Sequence, residues 1–166
     1  MTIVYLSLGS NKGDRVGYIQ QASSLISNIE GVSIIRTSSL YETEPWECET
    51  SNWFVNAAVE INTELSAQKL LSECQRIEKQ LGRDRDKEGK YGDRTIDIDI
   101  MFYGEDILND SNLLIPHKFF HQRAFMLVPM LEIAPDHMHP VLGQSVTDLH
   151  EGLENPEMVY LYGTRV

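Results

Sequence analysis

Two aspartates, Asp97 and Asp99, interrupt an apolar run in GDRTIDIDIMFYG, residues 92–104. On an extended chain Ile96, Ile98, Ile100 and Phe102 fall on one face, and Thr95, Asp97, Asp99 and Met101 on the other. The two carboxylates then stand roughly 7 Å apart at Cα. Like charges held so close repel unless a cation lies between them or one keeps its proton. Arg83, Arg85 and Arg94 lead into the same strand. Carboxylates beside several guanidiniums suit magnesium–nucleotide chemistry. Magnesium takes one or two carboxylates plus substrate phosphates, and arginine grips phosphate oxygens in pairs. The plainer account makes both aspartates solvent-facing residues of a one-sided sheet.

A second set of residues points to a flat heterocycle. In WFVNAAVEI, Trp53, Val55, Ala57, Val59 and Ile61 share one face, so Phe54 and Asn56 project from the other. A ring to stack on and an amide to bond an edge suit such a ligand, although Phe54 under a loop and Asn56 on backbone would look the same. Phe125 is a candidate second ring, within a segment that reads equally as a buried helix. His117 and His121 are four apart with no third metal ligand evident, and His137 and His139 read as surface residues. No GxxxxGK[ST] or GxGxxG motif is present, so phosphates would be held mainly by side chains and magnesium.

The chain that must position these groups has 166 residues, enough for one domain with a real core. A single domain over 1–166 is expected, its core about 1–104 and a C-terminal extension about 105–166. Its net charge of −11 argues against a nucleic-acid partner. Yet seven of the 14 basic residues fall between Arg76 and Arg94, a cluster suited to a small polyanion or, more plainly, a solvated loop of mixed charge. No apolar run reaches membrane-spanning length, no signal peptide is evident, and Cys48 and Cys74 form no CxxC pair. A cytoplasmic protein with no membrane partner follows, either a monomer or a weak homodimer.

The elements read in order. TIVYLSLGSN is a strand. Asp14 caps a helix whose Ile19, Ala22, Ile26 and Ile29 line one face and which Gly31 closes. VSIIRTSSLYET is a second strand and WFVNAAVEI a third. SAQKLLSECQRIEKQLG is a helix capped by Ser66, stapled by Leu65 and Leu70, and ended by Gly82. Gln75 and Glu78 share a face beside its core stripe. This is α+β, the βαββαβ ferredoxin-like order, an antiparallel sheet covered by helices with a C-terminal extension. Short helices are expected around 117–130 and 144–152, and NPEMVYLYGTRV has no assignment.

Taken together, GSN, SSLYETEP, FVNAAV, RIEKQLGR, GDRTIDIDI, PH and RAFMLVPMLEIAP occur in the order seen in the 6-hydroxymethyl-7,8-dihydropterin pyrophosphokinases, which the chain resembles up to about Pro140. The resemblance implies transfer of the diphosphoryl group of ATP to the hydroxymethyl oxygen of a reduced pterin, giving the pterin diphosphate and AMP in folate synthesis. It implies two Mg2+ ions on Asp97 and Asp99, and Arg83 and Arg94 as catalytic loop arginines. Gln75, Glu78, Arg83, Arg85, Arg94, Ile100, His117 and Arg123 match positions around ATP. Phe54 and Phe125 resemble the rings that sandwich the pterin, with Asn56, Thr43 and the backbone of Trp46 at its edge and Asp97 beside it. The loops 43–52 and 83–94 are then expected to close over both substrates, with ATP binding first. No second folate enzyme is expected within a chain of this length.

Departures from the family pattern are Phe54 in place of tyrosine, Asp93 in place of proline, Tyr91 in place of tryptophan and Asn112 where an arginine often contacts phosphate. Lys118 is the candidate substitute for that arginine. Rival readings are a non-catalytic nucleotide or metal sensor, which needs no full set of aspartates and arginines, and a kinase or nucleotidyltransferase acting on another small alcohol. An RNA-binding sheet is disfavoured by the acidic charge.

Overall fold

A computed structural model describes residues 1–46, 50–88 and 92–164. Cys48 and Tyr91 lie outside the described residues. The first half of the chain lays down β1 (Thr2–Ser10), α1 (Arg15–Ser27), β2 (Val32–Thr37), β3 (Leu40–Thr43), β4 (Phe54–Thr63), α2 (Ala67–Gln80), α3 (Arg85–Glu88) and β5 (Asp97–Tyr103). There follow β6 (Leu108–Asn109), β7 (Leu114–Ile115), a 3-10 turn at Phe120–Gln122, α4 (Ala124–Ile133), α5 (Val146–Glu151) and β8 (Val159–Gly163).

The antiparallel sheet runs β5-β1-β4-β3-β8, with β2 also on β4. Fourth strand, first, third, second is the ferredoxin-like order. The expected single strand over 32–43 is divided at Ser38–Ser39: β2 pairs with the far half of β4 and β3 with its near half. Ser38 Oγ accepts from the Ala58 N–H at 2.8 Å, which fills the gap in the ladder.

Local chemistry sets the helices. Asp14 accepts from the Gly17 N–H and Ser66 from the Lys69 N–H, and Gly82 ends α2 at a φ of 89°, a backbone that costs glycine little. Leu70, Cys74 and Ile77 of α2 and Ile19, Ala22 and Ile26 of α1 bury against Val4, Leu6, Leu8, Val55, Val59 and Ile98 on one sheet face.

The other face differs along its length. Pairing shifts between Tyr5 and Leu6: Leu6 lies opposite Ile100 but Tyr5 opposite Phe102. Met101 is therefore an extra residue, a bulge, and the alternation inverts there. Phe102 does not join the isoleucines as its spacing suggested. It packs with Tyr5, Met101, Phe120 and Leu127 under α4, in a second core. His137 and His139 also join this side rather than the surface: His137 lies 4.4 Å from the Phe102 ring, and His139 is 6% exposed, accepting from the Val141 and Leu142 N–H groups. Among the described residues no helix is long and apolar enough to cross a membrane.

Candidate active site

Sheet register brings the chemistry into one row. Asp97 lies opposite Gly9 and Asp99 opposite Ser7, while Gly9 lies opposite Asn56 and Thr43 opposite Phe54. These side chains point away from α1 and α2 into a cavity of about 490 Å3. Asp97, Asp99, Arg83, Arg85 and Arg94 line one part of it; Thr43, Trp46, Phe54, Asn56 and Phe125 another; His117 and Arg123 complete the wall.

The charged part is organised around Glu78, 2% exposed on α2. Its carboxylate accepts from Arg83 at 2.9 Å, from Arg85 at 2.7 Å and from the Ile98 N–H at 3.0 Å. Arg83, itself 9% exposed, also bonds Asp97 Oδ1, and Arg94 bonds Asp97 Oδ2 at 3.1 Å. Burial alone would push the Asp97 carboxyl up, but Arg83 and Arg94 outweigh it and hold it below the usual range. Asp99 goes the other way. Burial, then Asp97 and Glu78, raise it well above the usual range against the weaker pull of Arg83 and Arg85. It makes no ion pair among the described residues.

Among the described residues no group of three or more His, Cys, Asp or Glu is placed to hold a metal by itself. Magnesium needs none, since substrate phosphates and water complete its shell. A hard oxygen donor with no ion pair of its own among the described residues, facing a cavity beside a second carboxylate, fits that ion, whose charge would favour the ionised form.

The apolar wall is equally built. Asn56, 3% exposed, donates Nδ2 to Thr43 Oγ1 at 2.6 Å, which leaves Oδ1 turned toward Gly9. The Arg123 guanidinium lies against the Trp46 ring and 4.7 Å from the Phe119 centroid, and Arg94 stands 5.5 Å from that of Phe54. His117 Nδ1 accepts from the Phe119 N–H at 3.2 Å, so its proton is on Nε2.

Burial, aided by Arg123 and opposed by Asp97, pushes His117 down to about 4. The unfolded chain therefore binds this proton before the folded one. Its share of stability is whole above the ordinary histidine value of about 6.5 and is lost as pH falls toward the folded pKa. His117→Gln is expected to flatten the acid limb of a melting-temperature profile between those values, by at most on the order of 3 kcal/mol.

Three loops meet at one carboxylate. Asp93 accepts from Asn11 Nδ2 at 3.0 Å and from Asn52 Nδ2 at 2.7 Å, while Asn11 Oδ1 takes the Arg94 N–H at 2.7 Å.

Of the residues singled out from sequence, Gln75 is exposed and lies with Glu78 on a second depression, which shares Arg83 and Arg85 with the first. The Ile100 side chain is buried in the core among helix-facing residues, and Lys118 is exposed with its amine 5.1 Å from the Phe119 ring. Ser7, Gly9, Glu44, Phe119 and Met126 also line the cavity and were missed. Alternation on β1 put Ser7 and Gly9 on one face, but only strand pairing sets them beside the aspartates.

The profile of a family described as 7,8-dihydro-6-hydroxymethylpterin-pyrophosphokinase (HPPK) matches residues 5–135. The chain is 38% identical over 161 residues to a 2-amino-4-hydroxy-6-hydroxymethyldihydropteridine pyrophosphokinase of Haemophilus influenzae, covering 97% of this chain and 99% of that one. It is 41% identical over 165 residues to the folic acid synthesis protein fol1 of Pneumocystis carinii, covering 96% of this chain but only 22% of that protein. A crystal structure of Plasmodium falciparum HPPK-DHPS superposes with a TM-score of 0.73 at 16% identity, over 90% of this chain and 44% of the other.

Proposed function

The chain belongs to the 7,8-dihydro-6-hydroxymethylpterin-pyrophosphokinase family, and on that premise we propose how its cavity works. The protein transfers the diphosphoryl group of ATP to the hydroxymethyl oxygen of 6-hydroxymethyl-7,8-dihydropterin, in folate synthesis. One observation carries the reading: a ring-and-amide wall at Phe54, Asn56 and Phe125 shares a single cavity with a carboxylate-and-guanidinium floor at Asp97, Asp99, Arg83 and Arg94.

The pterin slots between Phe54 and Phe125. Asn56 Oδ1, its amide already fixed by Thr43, accepts from the N–H edge of the heterocycle. The triphosphate lies over the basic floor. There Arg83 and Arg94 exchange Asp97 for phosphate oxygens and stabilise the charge that develops as the β-phosphorus is attacked. His117, kept neutral, offers its Nε2–H as a donor without adding charge. Asp97 and Asp99 are the residues that would hold two magnesium ions, which when bound neutralise phosphate charge and activate the hydroxyl. Loop closure over both substrates keeps water from the diphosphoryl group. A cytoplasmic location and ATP and a reduced pterin as partners fit this reading.

The product separates the alternatives. Incubation with ATP, Mg2+ and the hydroxymethyl pterin is expected to yield AMP only when the pterin is present. ADP would indicate an ordinary kinase, pyrophosphate a nucleotidyltransferase, and no turnover a binding module.

Gly9 offers a narrower check. A Cβ there would stand 2.5 Å from Asn56 Oδ1 and 3.7 Å from the Phe54 ring. Gly9→Ala is expected to raise the pterin KM roughly ten-fold or more by displacing that acceptor, with the ATP KM nearly unchanged. Steady-state kinetics with each substrate varied reads this directly.

A further inference from the structure

Between residues 151 and 163 one side chain alone is buried, and it is a carboxylate: Glu157, 8% exposed. A buried carboxylate needs a partner. Glu157 Oε1 accepts from the Phe125 N–H at 2.8 Å, across 32 residues of chain. That N–H belongs to the first turn of α4, where backbone donors have no helical acceptor and where negative charge is favoured. The turn has little other support. Arg123 at the N-cap gives no side-chain cap, and Pro129 has no N–H to offer the Phe125 carbonyl.

The next two residues hold the opposite wall. Met158 O accepts from the Glu44 N–H at 3.0 Å, the Met158 N–H donates to Glu44 Oε2 at 3.1 Å, and Val159 pairs with Thr43 at the end of β3. Thr43 and Glu44 line the cavity on one side, Phe125 and Met126 on the other. Three consecutive tail residues thus reach both sides.

We infer that the C-terminal strand is a clasp that sets the width of the pterin slot, and that Glu157 is a positioning residue acting through Phe125. This rests on the reading of Phe125 as a pterin-stacking ring. An edge strand with a merely structural role would need no buried charge and would affect both substrates alike. The clasp instead bears on the acceptor side, because the three tail residues bond Phe125, Thr43 and Glu44 and none of Arg83, Arg85 and Arg94.

The test compares Glu157→Gln, Glu157→Asp, Glu157→Ala and Phe125→Ala. The readouts are pterin affinity, measured by fluorescence with a non-hydrolysable ATP analogue present, and KM for each substrate. Gln keeps an acceptor at the same reach and is expected to bind the pterin within about three-fold of the parent, whereas Asp keeps the charge but withdraws the acceptor and is expected to lose roughly ten-fold, as for a hydrogen bond to a charged group. Ala should lose at least as much, with ATP KM unchanged. Should Ala fail to fold, the Gln and Asp pair still decides. Equal binding by Asp and parent, or parallel loss for both substrates, would overturn the clasp. Unchanged affinity in Phe125→Ala would overturn the premise instead, and the clasp with it.

Discussion

Asp99→Asn should melt a few degrees above the parent protein in the absence of nucleotide while turning over roughly a hundred- to a thousand-fold more slowly. The two effects have one cause. Burial, Asp97 and Glu78 together raise the Asp99 carboxyl well above its usual range. A carboxyl whose folded pKa exceeds its unfolded one favours folding at acid pH and loses that contribution as pH rises through the folded value. At neutral pH the buried Asp99 carboxyl therefore costs the folded state free energy, and a neutral amide of the same shape removes that cost. On the proposed reading the same carboxylate, ionised when a divalent cation and triphosphate are bound, is the ligand that turnover needs. Melting profiles of both proteins should coincide near pH 4 and separate as pH rises. A variant no more stable than the parent at pH 8 would contradict the mutual repulsion of Asp97, Asp99 and Glu78.

Arg83→Ala is expected to be damaging in both respects. Its guanidinium, with a side chain 6% exposed, joins Glu78 to Asp97. Removing one partner of a buried ion pair leaves the others uncompensated, at a cost of about 3–5 kcal/mol. Arg85 and the Ile98 N–H still reach Glu78 and keep the loss from being larger. Urea unfolding measures this part. Turnover should fall by roughly a hundred-fold or more beyond the loss of folded protein, because phosphate charge loses a donor. Arg83→Lys is a sharper probe. It restores a charge and a single nitrogen in place of Nη1, which alone meets Glu78, Asp97 and the Ile96 carbonyl, but not the rest of the planar fork that phosphate would use. Stability recovering more than turnover is the expected pattern; full recovery of both would make the fork irrelevant.

Much of this site could be read before the fold was seen, because its signals are local. The alternation of Asp97 and Asp99 with isoleucine survives in the sheet, and α2 is marked by Ser66 and Gly82 at its ends. What was not legible depends on pairing. In DIDIMFY the aspartates mark the phase of the strand, but IMFY holds no polar residue to show that Met101 shifts it, so Phe102 was placed on the wrong face. VYLYG is apolar at every side chain, and only β3 beside it makes it a strand of this sheet. The serines 38–39 look like ordinary strand residues until the two halves of β4 are seen to take different partners. His139 reads as a surface residue in a polar stretch; its bonds from the Val141 and Leu142 N–H groups are local, but the Phe102 and Phe120 rings beside it lie in elements distant along the chain. Gly9 is one more glycine at a strand end until Asn56 is found across from it.

Asp93 stands where the family resemblance leads one to expect proline, and it has two oxygens engaged by two different loops while its own loop carries Arg94. A proline would leave Asn52 without this acceptor, while Asn11 would keep its two bonds to the Arg94 backbone. With one acceptor between them, moving Asp93 releases Asn11 and Asn52 in the same event. The three loops are thus expected to behave as one clutch, engaged or released as a whole, and not as three separate hinges.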